Sequence, residues 1–365
     1  MKNKFILSDK EIKILIKSGC LAPSGGNIQP WRVKVHPNML DISIDSKRSV
    51  SFIDVGKSAS IIALGCFVEN IEIAAQKLGL VYELVTDFKD LSKTVARIIF
   101  TDRNRKSNHG LISLFSQIGK RVTNRQLYDG TLIEEKYISA LKKIITENSS
   151  NFLLNAVSRQ KDKIALVDAL GKADVIRMTN FQAYKQMIGE LRWNTEEVKR
   201  TRDGLDIKTL EMPYNLDKLF ALVHKYHGIM KLLPKRVFIE ITKPTIEGSS
   251  HVLCLSTNKK YNSQILFETG RIIEKIWLTA TSWNISFQPW TISTFFIFRI
   301  TFYKGIGFTD HEIEEIKKIK KEINFIFNLS DKDLPLFIFR LARAKKPSVR
   351  SLRLDWKDFT DFVSN

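Results

Sequence analysis

The chain has 365 residues, 44% of them hydrophobic, with a formal net charge of +19. That length and composition suit one large globular domain, or two intimately packed ones, with a sizeable core. Cys20, Cys66 and Cys254 form no CxxC or metal-type spacing and read as thiols in a reducing compartment, the cytoplasm. Charged residues from Lys2 to Glu11 argue against a secretory signal, and no stretch reads as a bilayer span. The positive charge would suit nucleic acid, an anionic membrane or a phosphate-bearing ligand. The lysines, however, are scattered over amphipathic patterns, such as Lys317, Lys318, Lys320 and Lys321, and no nucleic-acid motif accompanies them.

In chain order, Ser8 and Glu11 form a capping box ahead of a helix with Ile12, Leu15 and Ile16 on one face. The run Ala22-Pro23-Ser24-Gly25-Gly26-Asn27-Ile28-Gln29-Pro30-Trp31 closes that helix and opens a strand, Arg32 to Val35. Its bland reading is a helix end and a tight loop. Its functional reading is a loop whose glycines admit close approach and whose Ser24, Asn27 and Gln29 read a polar ring edge. A helix rich in small and apolar residues ends at Gly79 before a strand at Val81. Lys120 to Arg125 follows, and an extended backbone there puts Arg121, Thr123 and Arg125 on one side. That side either grips a phosphate or is a solvated basic loop. Leu132 to Ile144 repeats the acidic start and apolar spacing of the first helix.

The segment from about Asn194 to Lys235, with turns at Asp203-Gly204, Met212-Pro213 and Leu233-Pro234, reads as an inserted helical lid. His224 and His227 lie inside it, three apart and without a third ligand, so no metal site is expected. Glu274 to Ile285 repeats the plan of the Glu69 to Leu80 helix end, with Asn284 where Gly79 stands; both positions call for the left-handed conformation. Gln288-Pro289-Trp290 follows, and the apolar stretch Thr291 to Tyr303 reads as a buried strand. Lys345 to Arg353 is basic and precedes an amphipathic stretch, Leu354 to Val363. The repeated plan suggests two diverged copies of one α+β unit, 1–118 and 119–365, the second carrying the lid.

The run Pro23 to Trp31 resembles the flavin-contacting pattern Pro-Ser-x-x-Asn-x-Gln-Pro-Trp of the nitroreductase superfamily, with every fixed position present. Arg121-Val122-Thr123-Asn124-Arg125 resembles that superfamily's Arg-x-Ser-x-Arg phosphate segment. The first copy lacks the phosphate segment, and the second has only Asn148-Ser149-Ser150-Asn151 in place of the flavin loop. The resemblance therefore implies a nitroreductase-like α+β fold, duplicated into a single-chain pseudo-dimer with one FMN site, either monomeric or weakly dimeric. It implies FMN contacts from Pro23, Ser24, Gly25, Asn27 and Gln29, and a phosphate grip from Arg121, Thr123 and Arg125. Gln288 and Pro289 would approach the ring from the other side, and Arg350 and Arg353 would complete the phosphate site, although a solvated basic tail is the competing reading there.

Thr123-Asn124-Arg125, Trp193 with Arg202-Asp203-Gly204, and Gly270-Arg271 with Trp277-Leu278 are similar to the duplicated, lid-bearing Acg-type proteins of mycobacteria. What the resemblance implies is hydride transfer between NAD(P)H, as a transient reductant, and a small organic acceptor. It equally allows oxidation of a biosynthetic intermediate. The alternative is a protein that binds and sequesters FMN under a closed lid with little turnover. No catalytic side chain is expected, since the flavin carries the hydride.

Overall fold

The computed structural model describes residues 5–103, 109–128, 131–211 and 235–363. Helix α1 (Asp9–Cys20) starts at the expected capping box: the Ser8 side chain accepts from Glu11 N, and Glu11 accepts from Ser8 N at 2.7 Å. Strands β1 (Trp31–His36) and β2 (Met39–Ile44) follow. Next come α2 (Ser58–Lys77), β3 (Val81–Thr86), β4 (Thr94–Asp102) and α3 (His109–Ile118). The chain continues through α4 (Glu135–Asn148), β5 (Leu153–Val157), α5 (Gln160–Thr179) and α6 (Phe181–Glu190). A short parallel pair, β6 (Leu191–Arg192) and β7 (Leu205–Asp206), brackets α7 (Thr195–Thr201). Beyond them lie α8 (Lys235–Glu247), β8 (His251–Thr257), α9 (Ser263–Ser282) and β9 (Ser286–Pro289). Helices α10 (Ile292–Phe302) and α11 (Asp310–Ile326) precede β10 (Leu334–Ala342) and β11 (Thr360–Phe362).

The strands form two main sheets, making an α+β fold. One runs β11-β1-β2-β4-β3 and the other β5-β8-β10-β9. Apart from β11, each sheet places its first, second, fourth and third strands side by side in that order. The long helices α2 and α9 pack against each other at the centre. Helix α2 is long and apolar enough to cross a membrane by composition, but it is buried from Ser58 to Gln76 and so is a core helix. A Cβ on Gly65 would lie 2.1 Å from the Phe267 carbonyl oxygen, and one on Gly270 would lie 1.9 Å from that of Ile62. One interval separates Ile62 from Phe267, Gly65 from Gly270, Glu69 from Glu274 and Gly79 from Asn284. Gly79 and Asn284 both take positive φ, +69° and +55°, as expected for residues that stop these helices. In each case the next amide bonds back into the helix: Leu80 N to Ala75 O, and Ile285 N to Ala280 O, both 2.9 Å.

Three expectations need correction. Thr291 to Tyr303 is not a strand; residues Ile292 to Phe302 form α10, with Ser293 to Arg299 all buried. A segment apolar on every side has neither a 2.0 nor a 3.6 residue period, so burial hides the choice. Its Arg299 is held by carbonyls, that of Ile306 at 2.5 Å and that of Phe52, with its guanidinium over the Phe52 ring. The extra length between β5 and β8 begins well before Asn194, because α5 and α6 belong to it. Residues 212–234, with Met212-Pro213, Leu233-Pro234, His224 and His227, lie outside the described residues, as does most of the Met1 to Phe5 stretch. Finally, residues 360–362 form a strand parallel to β1, with Val33 opposite Thr360. This carries the chain from one sheet back to the other.

Candidate functional site

A cavity of about 750 Å³ opens where the two sheets' loops meet over the central helices. That volume falls in the range of small-molecule sites. Its apolar lining includes Ile62, Ala63 and Cys66 of α2 and Ile273 and Trp277 of α9. A stack runs beneath it: the Arg121 guanidinium lies 4.7 Å from the Trp277 ring centre, Trp277 4.3 Å from Phe287, and Phe287 4.3 Å from Phe339. Such contacts add cation–π and stacking attraction to simple burial.

Of the twelve residues expected at a cofactor site, eleven line this one cavity: Pro23, Ser24, Gly25, Asn27, Arg121, Thr123, Arg125, Gln288, Pro289, Arg350 and Arg353. Gln29 does not. It is fully buried; its Nε2 donates to Arg202 O (3.0 Å) and its Oε1 accepts from Leu354 N (2.9 Å). The loop is too tightly curled to present it: Gly26, Asn27 and Gln29 all have positive φ, and Gln29 N donates to Ser24 Oγ at 3.0 Å. Asn27 borders the cavity, but its amide is also spent on the protein. Nδ2 donates to Gly204 O (2.9 Å) and Leu352 O (3.0 Å), and Oδ1 accepts from Arg353 Nη1 (2.7 Å). Asn27 and Gln29 were expected to read a polar ring edge; the structure instead uses both to clamp the loop to residues 202–204 and 352–354.

Arg121, Thr123 and Arg125 of the basic segment all reach the cavity, as does Val122 between them. Asn124 turns away, donating from Nδ2 to Ser286 Oγ and Lys345 O, both 2.8 Å. Thr123 bridges to Phe287 in parallel. Arg125 donates to Thr209 O at 2.9 Å, and burial pulls its guanidinium down to about 10. Arg121 is almost fully buried, donating to Leu21 O with its Nε 3.3 Å from Glu274 Oε1. Burial pushes the Glu274 carboxyl up to about 7 against the pull of Arg121. Arg350 donates to Gly119 O (2.8 Å) and Arg121 O (2.6 Å). Burial, with Arg121 nearby, pulls Arg353 down to about 9, and its Nε is buried with no protein partner. Gln288 Oε1 accepts from Arg340 Nε at 2.7 Å.

Sequence reasoning missed another part of the wall: Asp174 and Arg177 of α5, Glu190 at the end of α6, and Thr209. Asp174 and Arg177 sit three apart on a helix, a spacing indistinguishable in sequence from a solvated charge pair. Arg202 also lines the cavity, and its neighbours Asp203 and Gly204 are well anchored. Asp203 pairs with Arg192 (2.6 Å) and Arg48 (2.9 Å), and these outweigh burial to hold its carboxyl below the usual range. In all, the lining brings seven cationic side chains, Lys17, Arg121, Arg125, Arg177, Arg202, Arg350 and Arg353, against three acids, Asp174, Glu190 and Asp355. Desolvated cations in excess favour an anionic ligand.

No known family profile matches the chain. It is 20% identical over 343 residues to the uncharacterized protein MT1398 of Mycobacterium tuberculosis, a match covering 93% of this chain and 47% of that protein. The chain thus spans about half the length of that curated relative. Among solved structures it is similar to the FMN-dependent nitroreductase NfnB from Mycobacterium smegmatis in complex with NADPH, at 12% identity and a TM-score of 0.41. That match covers 70% of this chain and 100% of the other. Iodotyrosine deiodinase bound to FMN and 3-iodo-L-tyrosine is similar at 12% identity and a TM-score of 0.37, covering 66% of this chain and 95% of that one. A nitroreductase-like protein from Bacillus cereus is similar at 10% identity and 0.37, covering 69% and 96%.

Proposed function

We propose that the cavity binds FMN and that the chain is a nitroreductase-type oxidoreductase, a single-chain pseudo-dimer with one flavin site. The observation that carries the reading is the convergence of Pro23 to Asn27, Arg121 to Arg125, Gln288-Pro289 and Arg350 to Arg353 on one cation-rich cavity. The orphaned Nε of Arg353 and the lowered Arg125 and Arg353 suit a phosphate, which would supply the missing counter-charge. The shared strand order of the two sheets and the constant interval between α2 and α9 support duplication.

In this reading Arg353, Arg350, Thr123 and Arg125 hold the phosphate, Arg121 contributes from the floor, and Pro23 to Gly26 shape the slot for the ring. Bound FMN would supply hydride transfer, with NAD(P)H as transient reductant and a small organic acceptor. The protein's part is to orient, to exclude water and to fix charge. In this reading the dimer interface lies within one chain, and the protein works as a monomer or weak dimer in the cytoplasm.

A second reading, sequestration of FMN with little turnover, is favoured by the anchoring of residues 202–204. Asn27 and Gln29 bond Gly204 and Arg202, and Arg48 bridges the Ile28 carbonyl to Asp203, which Arg192 pairs from within the segment. The test is a visible spectrum of the purified protein before and after anaerobic NAD(P)H. A yellow protein that bleaches supports the oxidoreductase, and one that stays yellow supports sequestration. A colourless protein that FMN cannot reconstitute overturns both.

A further inference from the structure

Helices α5 and α6 add a wall to the cavity that the flavin-site motifs do not explain. Glu190 is held there by one hydrogen bond, from Ser51 Oγ to its Oε1 at 2.5 Å, with its Oε2 3.9 Å from Arg177 Nη2 and burial pushing its carboxyl up. A Cβ on Gly26 would lie 2.6 Å from its carboxyl carbon, so it also braces the loop. Asp174 is different. Thr242 Oγ1 donates to its Oδ2 at 3.1 Å, and the Trp290 side chain is a second hydrogen-bonding neighbour. Asp174 lines the cavity and is half-buried as a residue. Trp290, Phe295 and Phe337 supply flat apolar lining in the same cavity. Such walls suit a planar acceptor with carbonyl oxygens.

We propose that Asp174 donates the proton that accompanies hydride when a quinone-class acceptor is reduced in this cavity. The assignment rests on the flavin reading above. The overall change is dihydronicotinamide plus quinone plus one proton to oxidised nicotinamide plus hydroquinone. The dihydronicotinamide supplies the hydride and both electrons. At Asp174 the carboxyl O–H bond breaks, and its proton bonds to a quinone oxygen. The bonding pair stays on the carboxylate, which takes a new proton from water.

The electrostatics fit a donor near neutral pH. Burial pushes Asp174 up to about 6, against Arg177, Thr242 and Trp290. The charged groups of the surrounding elements are otherwise occupied. Glu190 of α6 faces Arg177, Glu322 of α11 pairs with Lys172, and Arg299 of α10 is held by the Phe52 and Ile306 carbonyls. From α8 it meets the neutral Thr242. A positioned acid of this kind contributes about 10²–10⁴-fold.

The test compares wild type with Asp174→Asn and Asp174→Glu, all reconstituted with FMN. Turnover is measured with a benzoquinone and with ferricyanide, a one-electron acceptor that takes no proton. The carboxyl stretch of ¹³C-aspartate-labelled protein is followed by infrared titration as a readout independent of activity. We expect Asp174→Asn to lower the quinone rate about 100-fold relative to the ferricyanide rate, with Asp174→Glu restoring much of the ratio. Asp54 titrates in the same range, so we also expect a protonated-carboxyl band near pH 6 whose amplitude falls in Asp174→Asn, leaving the Asp54 component. An unchanged quinone-to-ferricyanide ratio, or a band of undiminished amplitude in Asp174→Asn, overturns the assignment while leaving the flavin reading intact. Failure of wild type to bind FMN overturns the flavin reading and this one with it.

Discussion

The Asn27 side-chain oxygen accepts a 2.7 Å hydrogen bond from the Arg353 guanidinium, although 326 residues separate them. One amide thereby joins the loop after α1, the segment at Gly204 and the basic stretch at Leu352. Asn27→Ala removes all three bonds and leaves a β-carbon at φ +54°. The expected cost is about 3 kcal/mol, from unsatisfied buried groups plus left-handed strain. Asn27→Gly keeps the backbone unstrained, so urea unfolding of the two variants separates the bonds from the strain; equal stabilities for Ala, Gly and wild type would contradict this account.

The crossing of α2 and α9 depends on Gly65 and Gly270 having no side chain, because backbone carbonyls occupy the places of both β-carbons. Either alanine forces the central helices apart. A loss of about 3 kcal/mol or more is expected at each, the upper end of overpacking costs. At Gly189 in α6, by contrast, an added β-carbon would meet nothing within 4 Å. Gly189→Ala is therefore expected to gain about 0.5–1 kcal/mol from helix propensity, as a rise in thermal midpoint.

Asp203 decides how firmly residues 202–204 stay down. Asp203→Asn breaks its pairing with Arg48 and Arg192. We expect FMN release, measured by stopped-flow fluorescence after dilution, to quicken about 10-fold, equivalent to ~1.4 kcal/mol. Proteolytic nicking within 191–211 should rise in parallel. Unaltered release would mean that the Gln29 and Asn27 clamps alone hold the segment.

Asp54 gives a pH test. It accepts from Ser60 N (2.9 Å) and Ser60 Oγ (2.5 Å), yet burial pushes its carboxyl up to about 6. The native state therefore holds a proton that the unfolded chain has released. Stability from this group is fully present below pH ~4 and falls as pH rises toward 6, by about 3 kcal/mol for two pH units. Asp54→Asn, which can still bond Ser60, should remove that slope. Its advantage over wild type should appear at pH 8 and vanish at pH 4 in denaturant titrations.

Much of this was legible in the sequence where local chemistry decides the outcome. The Ser8–Glu11 box and the left-handed stops at Gly79 and Asn284 follow from rules acting over a few residues. Helix α10 was misread because Ile292 to Phe302 is buried on all sides and shows no period. Asn27 and Gln29 were recognised as important, but their partners, Gly204, Arg202, Leu352 and Leu354, lie far along the chain and leave no local trace. Asp174 was missed for a related reason, since its surroundings come from α8 and Trp290.

The pairing of β11 with β1 also sets an order of events in the cell. While the polypeptide is still emerging from the ribosome, the loop at Pro23 to Gln29 waits for Leu354 to satisfy the Gln29 side chain and for Arg353 to meet Asn27. Residues 349–356, one wall of the cavity, are synthesised after both central helices and the four-stranded sheet. Nascent chains halted before Val349 would thus carry every strand of the two main sheets except β11 yet lack a closed pocket, so ligand loading waits for residues 349–362.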